Sequence, residues 1–498
     1  MHFEAPCSCQ PGVAIAAVAL AALAGCAAIT ARPELSPNRY APAAANQAWS
    51  PPAASAPEYA IPTAAHVPDQ VSTPSPAAAA TPPEFGLAKL IDISLTNNPA
   101  TRAAWERARA AAASYGASRA AYYPRLSAAV PAGYSRRIEE LPGKTGVLKE
   151  SYAKPVLQLT YTLFDFGRRN ADDEIARQRL AAANFTFDRE LQSVVFATQR
   201  GFYALAAAKA GVTAAAENLT LATTDANAVR DRVELGLATQ PALLLARERV
   251  AQSEFDLANA RLFVHEGQAA LAQALGVAAN APFEVEGLQS QQVSVSLGSQ
   301  VDDLIADAVR RRPDLAAQVA TLKARDSGVD RARADFYPAL SALGNYSEQA
   351  RNFQFDGPPT EKPVQPQYTG QIALSWDLFT GFQRLNQLRR AEADREAAVA
   401  VLQTDEIDAI AEVWRAYHEF EATRHKYDYA QALLAATEEA YAANLDTYRQ
   451  GLSTIVELLT AGRDLANARY TVIQSTADLL TASAAVAYAV GAVEMPRG

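Results

Sequence analysis

The chain has little of the chemistry that catalysis, metal binding or nucleic-acid recognition requires. Its 498 residues include 3 Cys, 2 Met and 5 His, and its 54 acidic residues outnumber its 45 basic ones, which gives a formal charge of -9. Proteins that bind nucleic acids need a positive surface, so this balance argues against that class and indicates solubility instead. The sequence also has no phosphate-binding glycine loop, nucleophile elbow or zinc-ligand spacing.

The histidines do not form a set of metal ligands. His2 would be removed with a signal peptide, and His66 lies in a proline-rich stretch. His418 and His425 are seven residues apart, or two helical turns, whereas a shared metal ion needs ligands on adjacent turns. We therefore expect no enzymatic activity, no bound metal and no cofactor.

The N-terminus lacks basic residues, because no Lys or Arg precedes Arg32. An apolar run over Val13–Ala24 nevertheless has the length of a signal-peptide core and is too short to span a bilayer. The run leads into the sequence LAGC, which ends at Cys26 and resembles the lipobox of bacterial lipoproteins. We predict a lipoprotein-type signal peptide over 1–25 and lipid attachment at Cys26; an Ala-rich signal peptide with a chance Cys is the alternative.

Residues 26–83 are rich in Pro, Ala and Ser and are predicted to be an extended tether, since such a composition cannot form a packed core. Cys7 and Cys9 precede the predicted cleavage site, so the mature chain would keep only an acylated Cys26. A disulfide framework or a thiol metal site is then excluded.

The folded part is duplicated, with a first repeat over 84–298 and a second over 299–498. A constant offset of the same landmarks over most of the chain indicates duplication. The landmarks are Asn98-Pro99 with Arg312-Pro313 and Tyr123-Pro124 with Tyr337-Pro338 at an offset of 214, then Leu163-Phe164 with Leu378-Phe379, Gly236-Leu237 with Gly451-Leu452, and Gly276 with Gly491 at an offset of 215.

Each repeat is predicted to begin with a helix, from Pro99 to Tyr122 and from Pro313 to Phe336, because Pro is favoured at the first helical position. The Tyr-Pro pair that follows ends the helix and imposes an extended course. Period-two alternation of apolar and polar residues in VLQLTYTLF and TGQIALSWDLF then predicts strands. We expect one β-hairpin over 123–165 and another over 337–380.

No Pro occurs from Val156 to Gln240 or from Gln367 to Met495. Long helices of about 67 residues, roughly 100 Å each, are predicted over 168–234 and 383–449, with return helices over 238–276 and 453–491. Seven-residue apolar spacing in the return helices predicts coiled-coil packing, and two adjacent series suggest a helix with a neighbour on each side, an isolated hairpin being the alternative. The series in the second repeat are Leu458, Leu465, Val472, Leu479 and Val486, and Leu452, Leu459, Ala466, Ile473, Leu480 and Ala487.

Four strands with one apolar face cannot close a membrane barrel, since about eight are needed, and an open edge is not tolerated in lipid. Several copies must therefore share one barrel. One order of elements occurs twice over about Phe85 to Gly491: a helix, Tyr-Pro, a hairpin, LFDFGRR or its counterpart, a long helix, GLAT or GLST, and a return helix with heptad spacing. In this order of elements the chain resembles the TolC-like outer-membrane factor family.

The resemblance implies an α+β membrane protein, a homotrimer in which long coiled-coil helices form an α-barrel and four strands per protomer contribute to a twelve-stranded β-barrel. It also implies a passive exit channel in the outer membrane of a Gram-negative bacterium, with most of the chain in the periplasm. Such channels serve tripartite efflux or secretion systems and are docked by a periplasmic adaptor and an inner-membrane transporter. The lipobox indicates the lipid-anchored branch, in contact with outer-membrane lipid.

The resemblance also implies functional positions. The adaptor-docking tips correspond to Leu235, Gly236, Leu237, Gly451 and Leu452, although the glycines would end their helices in any case. The periplasmic gate corresponds to Val456, Glu457, Thr460 and Arg463, where Thr460 replaces a typical Asp and the charges could simply be solvated. The helix-to-strand joints correspond to Tyr123, Pro124, Tyr337 and Pro338.

A periplasmic coiled-coil adaptor, or a structural lipoprotein without a channel, is the alternative function. Adaptors also contain long helical hairpins, but they lack paired amphipathic strands between a Pro-opened helix and a long one. The exported substrate does not follow from the sequence, because selection belongs to the inner-membrane partner.

Overall fold

The computed structural model describes residues 46–47, 84–141, 143–279, 281, 284–288, 300–355 and 360–493. The predicted signal peptide 1–25, Cys26 and nearly all of the tether 26–83 lie outside the described residues. The chain divides into two compact units. The sheet unit contains Ala110–Ala181 and Ala320–Ala400, and the helical unit contains Ala41–Arg109, Ala182–Val319 and Val401–Gly498.

Eight α-helices account for most of the described residues. They are α1 (Leu87–Asn97), α2 (Pro99–Ser118), α3 (Arg168–Glu234), α4 (Gln240–Leu275), α5 (Val301–Arg311), α6 (Pro313–Ala334), α7 (Gln383–Arg449) and α8 (Ile455–Val490). The helices α3 and α7 each have 67 residues, and the return helices α4 and α8 each have 36.

Two helix ends differ from the sequence prediction. The α-helix α2 ends at Ser118 and tightens into a 3-10 turn over Arg119–Tyr122, while α6 ends at Ala334. Because Pro124 and Pro338 exclude the α conformation from the residue before them, the helix unwinds ahead of each proline. The short helices α1 and α5, which precede Pro99 and Pro313, were not predicted.

The sheet of the sheet unit is an antiparallel meander of four arms. The strands are numbered in chain order, and β1 (Glu84–Phe85) and β6 (Glu284–Val285) form a separate parallel pair in the helical unit. Arm one is β2 (Arg125–Ala129) and β3 (Ala132–Leu141), arm two is β4 (Lys144–Ala153) and β5 (Val156–Phe164), arm three is β7 (Ala339–Phe355) and arm four is β8 (Thr360–Ser375). Arms one and two are interrupted at Pro131 and Pro155, where proline cannot donate to the ladder. Each arm pairs with the next, so within the chain one edge of arm one and one edge of arm four are unpaired.

The sheet has one apolar face and one polar face. Register places Leu159 between Leu126 and Gly344, and Ala342 beside Ile372. The apolar face comprises Leu126, Ala128, Leu157, Leu159, Tyr161, Ala342, Gly344, Tyr346, Tyr368, Gly370, Ile372 and Leu374. The opposite face is mostly polar. It carries Ser127, Gln158, Thr160, Ser341, Asn345, Ser347, Gln367, Thr369 and Gln371, together with the apolar Val156 and Leu343.

The β8 strand is shorter than the predicted one. It ends at Ser375, whereas the period-two pattern continues through Trp376 and Leu378. The indole Nε1 of Trp376 instead donates to the carbonyl of Phe336 at 3.0 Å, and Arg384 binds the carbonyl of Asp377. Hydrogen bonds from side chains to carbonyls therefore replace the backbone hydrogen bonds between strands in this segment.

The helical unit is held together by α8, which packs on both sides. Leu479 and Val486 are buried against Ala308 of α5 and Val413 of α7. The next residue along, Leu480, is buried against α1, α3 and α4 in a separate cluster. The prediction that two adjacent heptad series give this helix a neighbour on each side is confirmed.

The two repeats share a joint where a return helix ends. Asn98 donates to the carbonyl of Ala274 in α4 at 2.9 Å, and its counterpart Arg312 donates to the carbonyl of Ala489 in α8 at 3.0 Å. Each return helix closes with a left-handed glycine, at φ 69° for Gly276 and 76° for Gly491. A Cβ on Gly276 would lie 2.7 Å from the Cα of Asn98, so only glycine fits this approach.

Arg312 turns this joint into an ion-pair network in the second repeat. Its side chain is 6% exposed and binds Asp314 through Nη2 at 2.7 Å and Glu412 through Nη1 at 2.6 Å. Arg189 of α3 donates to the carbonyl of Tyr488 at 2.9 Å and lies over the ring of Tyr488. The two cations bind carbonyls at the C-terminal end of α8, where the helix dipole favours positive charge.

Candidate functional sites

The predicted joints lie where a strand meets a helix in the sheet unit. Tyr123 is extended, with φ -111° and ψ 152°, as expected for a residue before proline. The Tyr123 and Tyr337 side chains are exposed, and each backbone N–H donates to the residue three positions earlier at 3.1 Å. The two Tyr-Pro pairs therefore set the course of the chain but make few side-chain bonds of their own.

An arginine in the first turn of each long helix holds the joint together. Arg169 of α3 binds Asp165 at 2.9 Å, donates to the carbonyl of Thr162 at 2.8 Å, and lies over the ring of Tyr122. It also donates to the carbonyl of Ala121 at 3.4 Å, so one guanidinium joins the strand end to the preceding helix end.

The counterpart of Arg169, offset by 215, is Arg384 of α7. It donates to the carbonyl of Asp335 at 3.1 Å, binds the carbonyl of Asp377, and lies over the ring of Phe336. Neither arginine was predicted from the sequence. The duplication could have revealed them, because Arg169 and Arg384 are the last residues of the matching tetrapeptides FGRR and GFQR.

Two consecutive left-handed residues precede each of these helices. In the first repeat they are Phe166 and Gly167, with φ 51° and 92°, and in the second they are Gly381 and Phe382, with φ 60° and 66°. The order of Phe and Gly is reversed between the repeats. A left-handed conformation is unusual for a bulky residue, so both phenylalanines adopt a strained backbone.

Exposed aromatic rings surround both joints. Phe166 stacks on Tyr337 with centroids 5.0 Å apart, and Phe379 meets Phe382 edge to face at 5.6 Å. Rings that combine an apolar body with a polar end favour the boundary between lipid and water. The group comprises Tyr123, Phe164, Phe166, Tyr337, Trp376, Phe379 and Phe382.

The predicted docking tips are turns at the ends of α3 and α7. Gly236 and Gly451 are left-handed, with φ 74° and 77°, and both turns have the Schellman hydrogen-bond pattern. In that motif the residue after the glycine usually packs on its own helix. Here Leu237 and Leu452 are 67% and 76% exposed, as is the neighbouring Leu235 at 73%. The glycines thus end their helices, and the leucines form apolar tips.

Three of the four predicted gate residues line one groove between α7 and α8 of about 360 Å³. Val456, Glu457 and Thr460 lie on its wall, whereas Arg463 does not line it. Asp464, which the prediction omitted, lines the same groove and lies 3.3 Å from the guanidinium of Arg463. The seven-residue spacing of the two acids was the available signal.

The charges of the predicted gate are engaged locally within this chain. Glu457 forms a capping box with Thr454, accepting from the Thr454 N–H at 3.0 Å while its own N–H donates to the hydroxyl at 3.3 Å. Glu457 and Arg463 therefore do not pair with each other, and an ionic latch would need a second chain.

Polar contacts join α3 to α7 and α8 near the tips. Arg469 donates to Asn218 at 3.1 Å, Tyr441 donates to both oxygens of Asp225 at 3.2 Å, and Arg232 donates to the carbonyl of Tyr448 at 2.6 Å. The α3 members are spaced by seven residues, so they form one polar seam.

Asp225 and Tyr441 are both buried in this seam. Burial raises the pKa of the Asp225 carboxyl, an effect that the hydrogen bond from Tyr441 partly offsets. Burial and the Asp225 carboxylate together raise the pKa of the Tyr441 hydroxyl. The seam was not predicted, because its partners are more than 200 positions apart in the chain.

Among the residues that the structure describes, no group of three or more His, Cys, Asp or Glu is arranged to hold a metal ion. In the same part of the chain, no helix is long and apolar enough to cross a membrane.

Sequence comparison finds relatives over most of the chain. The family model described as outer membrane efflux protein matches residues 90–277 and 304–492, one segment in each repeat. Protein CyaE of Bordetella pertussis is 29% identical over 430 residues, covering 84% of this chain and 87% of that protein. Outer membrane protein OprJ of Pseudomonas aeruginosa is 24% identical over 384 residues, covering 76% of this chain and 78% of that protein.

Solved structures share the fold at low sequence identity. The outer-membrane channel OprN superposes with a TM-score of 0.72 at 20% identity, covering 86% of this chain and 98% of that one. The open state of the MtrE outer membrane channel of Neisseria gonorrhoeae gives a TM-score of 0.70 at 20% identity, covering 88% and 97% of the two chains.

Proposed function

Because the chain belongs to the outer membrane efflux protein family, we propose that it forms a passive exit channel through the outer membrane of a Gram-negative bacterium. Its fold is that of the matching channels, in which long helices continue from β-strands. The observation that carries the proposal is the four-armed sheet, which has one apolar face, one polar face and two unpaired edges. This is the pattern of a barrel wall with lipid outside and water inside.

Three copies of the chain close the barrel, with four arms from each copy and twelve in all. An open sheet edge in lipid leaves backbone groups without partners, whereas an antiparallel edge of arm one can pair with arm four of the next copy. Exposed apolar residues also follow one face of α4 and one face of α7, as a contact between copies requires. They are Leu244, Phe255 and Leu262 on α4, and Ile407, Trp414, Tyr429 and Leu433 on α7.

The channel receives its substrate from a periplasmic adaptor and an inner-membrane transporter, as the efflux role of the family implies. The tips at Leu235, Leu237 and Leu452 are apolar side chains exposed at the ends of the long helices, and they suit an adaptor with an apolar docking surface. Cysteines placed at Leu237 and Leu452 should form crosslinks with a co-expressed adaptor. Equal crosslinking from exposed positions in the middle of α7 would contradict docking at the tips.

The groove lined by Val456, Glu457 and Thr460, with Arg463 beside it, narrows the periplasmic entrance in the trimer. Glu457 and Asp464 supply negative charge at the groove. Arg463 lies 3.3 Å from Asp464 of its own chain, and in the proposed trimer it would also pair with an acid of the next copy. Screened ion pairs of this kind are weak enough to open reversibly.

Cys26 anchors each copy to the membrane through lipid, and the tether 26–83 joins this anchor to the folded part. The support is the sequence LAGC after an apolar run. Cys26→Ser should abolish labelling by radioactive palmitate, and labelling that persists in this variant excludes Cys26 as the site.

Purified full-length protein tests the channel directly. We expect a detergent-requiring trimer that conducts ions in planar bilayers, with larger conductance when Glu457→Ala and Arg463→Ala are combined. Arg247→Ala together with Glu248→Ala removes the same charges from the exposed face of α4 and serves as the control. A monomer that stays soluble without detergent once the anchor is removed would instead indicate an adaptor or a structural lipoprotein, and conduction unchanged by the gate variant would reject the gate positions alone.

A further inference from the structure

The apolar face of the sheet carries two cations beyond its apolar band. Arg136 of β3 is paired directly with Lys149 of β4, which in turn is paired with Gln354 of β7. Directly opposed residues project from the same face with Cβ atoms about 5 Å apart, and like charges in that arrangement destabilise a sheet. In the described part of the chain, neither side chain makes an ion pair or a hydrogen bond.

The other face of the same strands is neutralised within the sheet. Arg137 lies 2.9 Å from Glu139 and 3.7 Å from Glu150. On the face of Arg136, Glu140 is four residues away, about 13 Å along the strand. Glu348 on that face accepts a hydrogen bond from Tyr346 at 2.6 Å. No acid whose side chain the structure describes therefore neutralises the paired cations, and their charge suits an external anion.

The register of β7 places this cation pair relative to the lipid. Tyr346 and Tyr368 are paired at the end of the apolar band, and Gln354 follows Tyr346 by eight residues on the same face of a continuous strand. Eight residues span about 26 Å, or about 20 Å along the axis of a barrel with tilted strands. A phospholipid headgroup layer adds only about 5–7 Å on each side. The cations thus stand beyond a phospholipid phosphate.

The side chains that flank Arg136 on its own strand are apolar. Tyr134 and Ile138 flank Arg136 on the same strand face and are exposed. A ligand on this surface needs a phosphate for the two cations and a broad body that covers the aromatic and aliphatic groups. A guanidinium beside an ammonium binds phosphate through charge-assisted hydrogen bonds.

We infer that Arg136 and Lys149 bind a phosphate in the extended sugar headgroup of an outer-leaflet glycolipid. This inference rests on the proposed function, because the apolar face touches lipid only when the sheet is part of a membrane barrel. The expected contribution is roughly fivefold in affinity for each cation. The site holds lipid against the outside of the barrel and does not take part in transport.

The test uses the full-length trimer in neutral detergent, titrated with fluorescent lipopolysaccharide whose core is phosphorylated. Arg136→Ser combined with Lys149→Ser should weaken binding about 25-fold, and wild-type protein should bind dephosphorylated lipopolysaccharide equally weakly. Arg247→Ser combined with Lys426→Ser removes the same two residue types from exposed positions in the helical unit and should bind like wild type. Inorganic phosphate and phosphatidylglycerol should not compete at matched concentrations.

A melting measurement separates binding from a structural role. Lys149→Glu places an opposite charge beside Arg136, so without lipid it should melt at or above the wild-type temperature, while losing lipopolysaccharide binding. Binding by the double variant within twofold of wild type, or no effect of dephosphorylation, overturns the inference. If inorganic phosphate competes equally well, the site binds a soluble anion and not a glycolipid. If phosphatidylglycerol competes, the site does not need an extended sugar headgroup, and that part of the inference is wrong. The conductance of the same preparation is measured as well. A preparation that conducts but does not bind lipopolysaccharide overturns the lipid site alone, whereas one that does not conduct overturns the proposed channel and the lipid site together.

Discussion

Arg312→Ala should lower the melting temperature of the protein, because Arg312 is buried and joins three partners. Its guanidinium binds Asp314 at 2.7 Å, Glu412 at 2.6 Å and the carbonyl of Ala489 at 3.0 Å. Breaking a buried ion pair costs about 3–5 kcal/mol. Here Asp314 and Glu412 are 37% and 35% exposed, and Arg189 lies within 3.8 Å of both, so water and the second cation recover part of the loss.

We therefore expect a loss of about 2–3 kcal/mol in the free energy of unfolding for Arg312→Ala. With an unfolding entropy of about 2.1 cal/mol/K per residue over the roughly 400 residues that the structure describes, this corresponds to a fall of about 2–4 °C. The assay is thermal unfolding in detergent, followed by circular dichroism at 222 nm.

The matched control is Arg310→Ala, which removes the same charge two residues away. Arg310 is 69% exposed and pairs only with Asp307 within the described chain, at 2.8 Å, so its loss should shift the melting temperature by less than about 1 °C. Arg312→Lys should fall between the two, since an ammonium keeps the charge and loses the planar fork. Equal shifts for Arg312→Ala and Arg310→Ala would refute the assignment of a stabilising network to Arg312.

Two further predictions concern the seam and the joints. Burial raises the pKa of Asp225, so the contribution of this group to stability is present below the ordinary aspartate range and is lost as the pH rises through the raised pKa. Asp225→Asn should consequently melt at or above the wild-type temperature at pH 8, and the difference should shrink towards pH 4. Tyr441→Phe should lower the free energy of unfolding by about 1–3 kcal/mol. An Asp225→Asn variant that is less stable than wild type at every pH would contradict this account. At the joints, Arg169→Ala and Arg384→Ala should each cost about 1.5–3 kcal/mol in thermal unfolding, because each removes charge-assisted bonds to backbone carbonyls. Shifts no larger than that of an exposed arginine on the same helix would exclude this role.

The features that follow from local chemistry could be predicted from the sequence. The long helices α3 and α7 have the predicted first and last residues, because proline-free stretches end at glycines that adopt a left-handed turn. The family and fold class are confirmed, since both rest on the order of duplicated landmarks. The return helices are one or two residues shorter at each end than predicted, where capping residues begin and end them.

The features that depend on distant partners could not be predicted. Arg169 and Arg384 are recognisable as functional only when their guanidinium groups are seen on carbonyls of another element. Asp225 gave no signal, since its partner Tyr441 lies 216 positions away. The gate residues were predicted by matching positions of this sequence to the family pattern. Such a match does not reveal that Glu457 caps its own helix or that Asp464 lines the groove.

The reversed order of Phe166-Gly167 and Gly381-Phe382 shows how the two copies of the joint have diverged since the chain was duplicated. The turn needs two left-handed residues, and a glycine at either one relieves half of the strain. Selection on the backbone is thus satisfied by both orders, while the ring points from a different position in each copy. In a trimer the two kinds of joint would alternate around the boundary between barrel and helices. The six joints would then be related by threefold symmetry and not by sixfold symmetry.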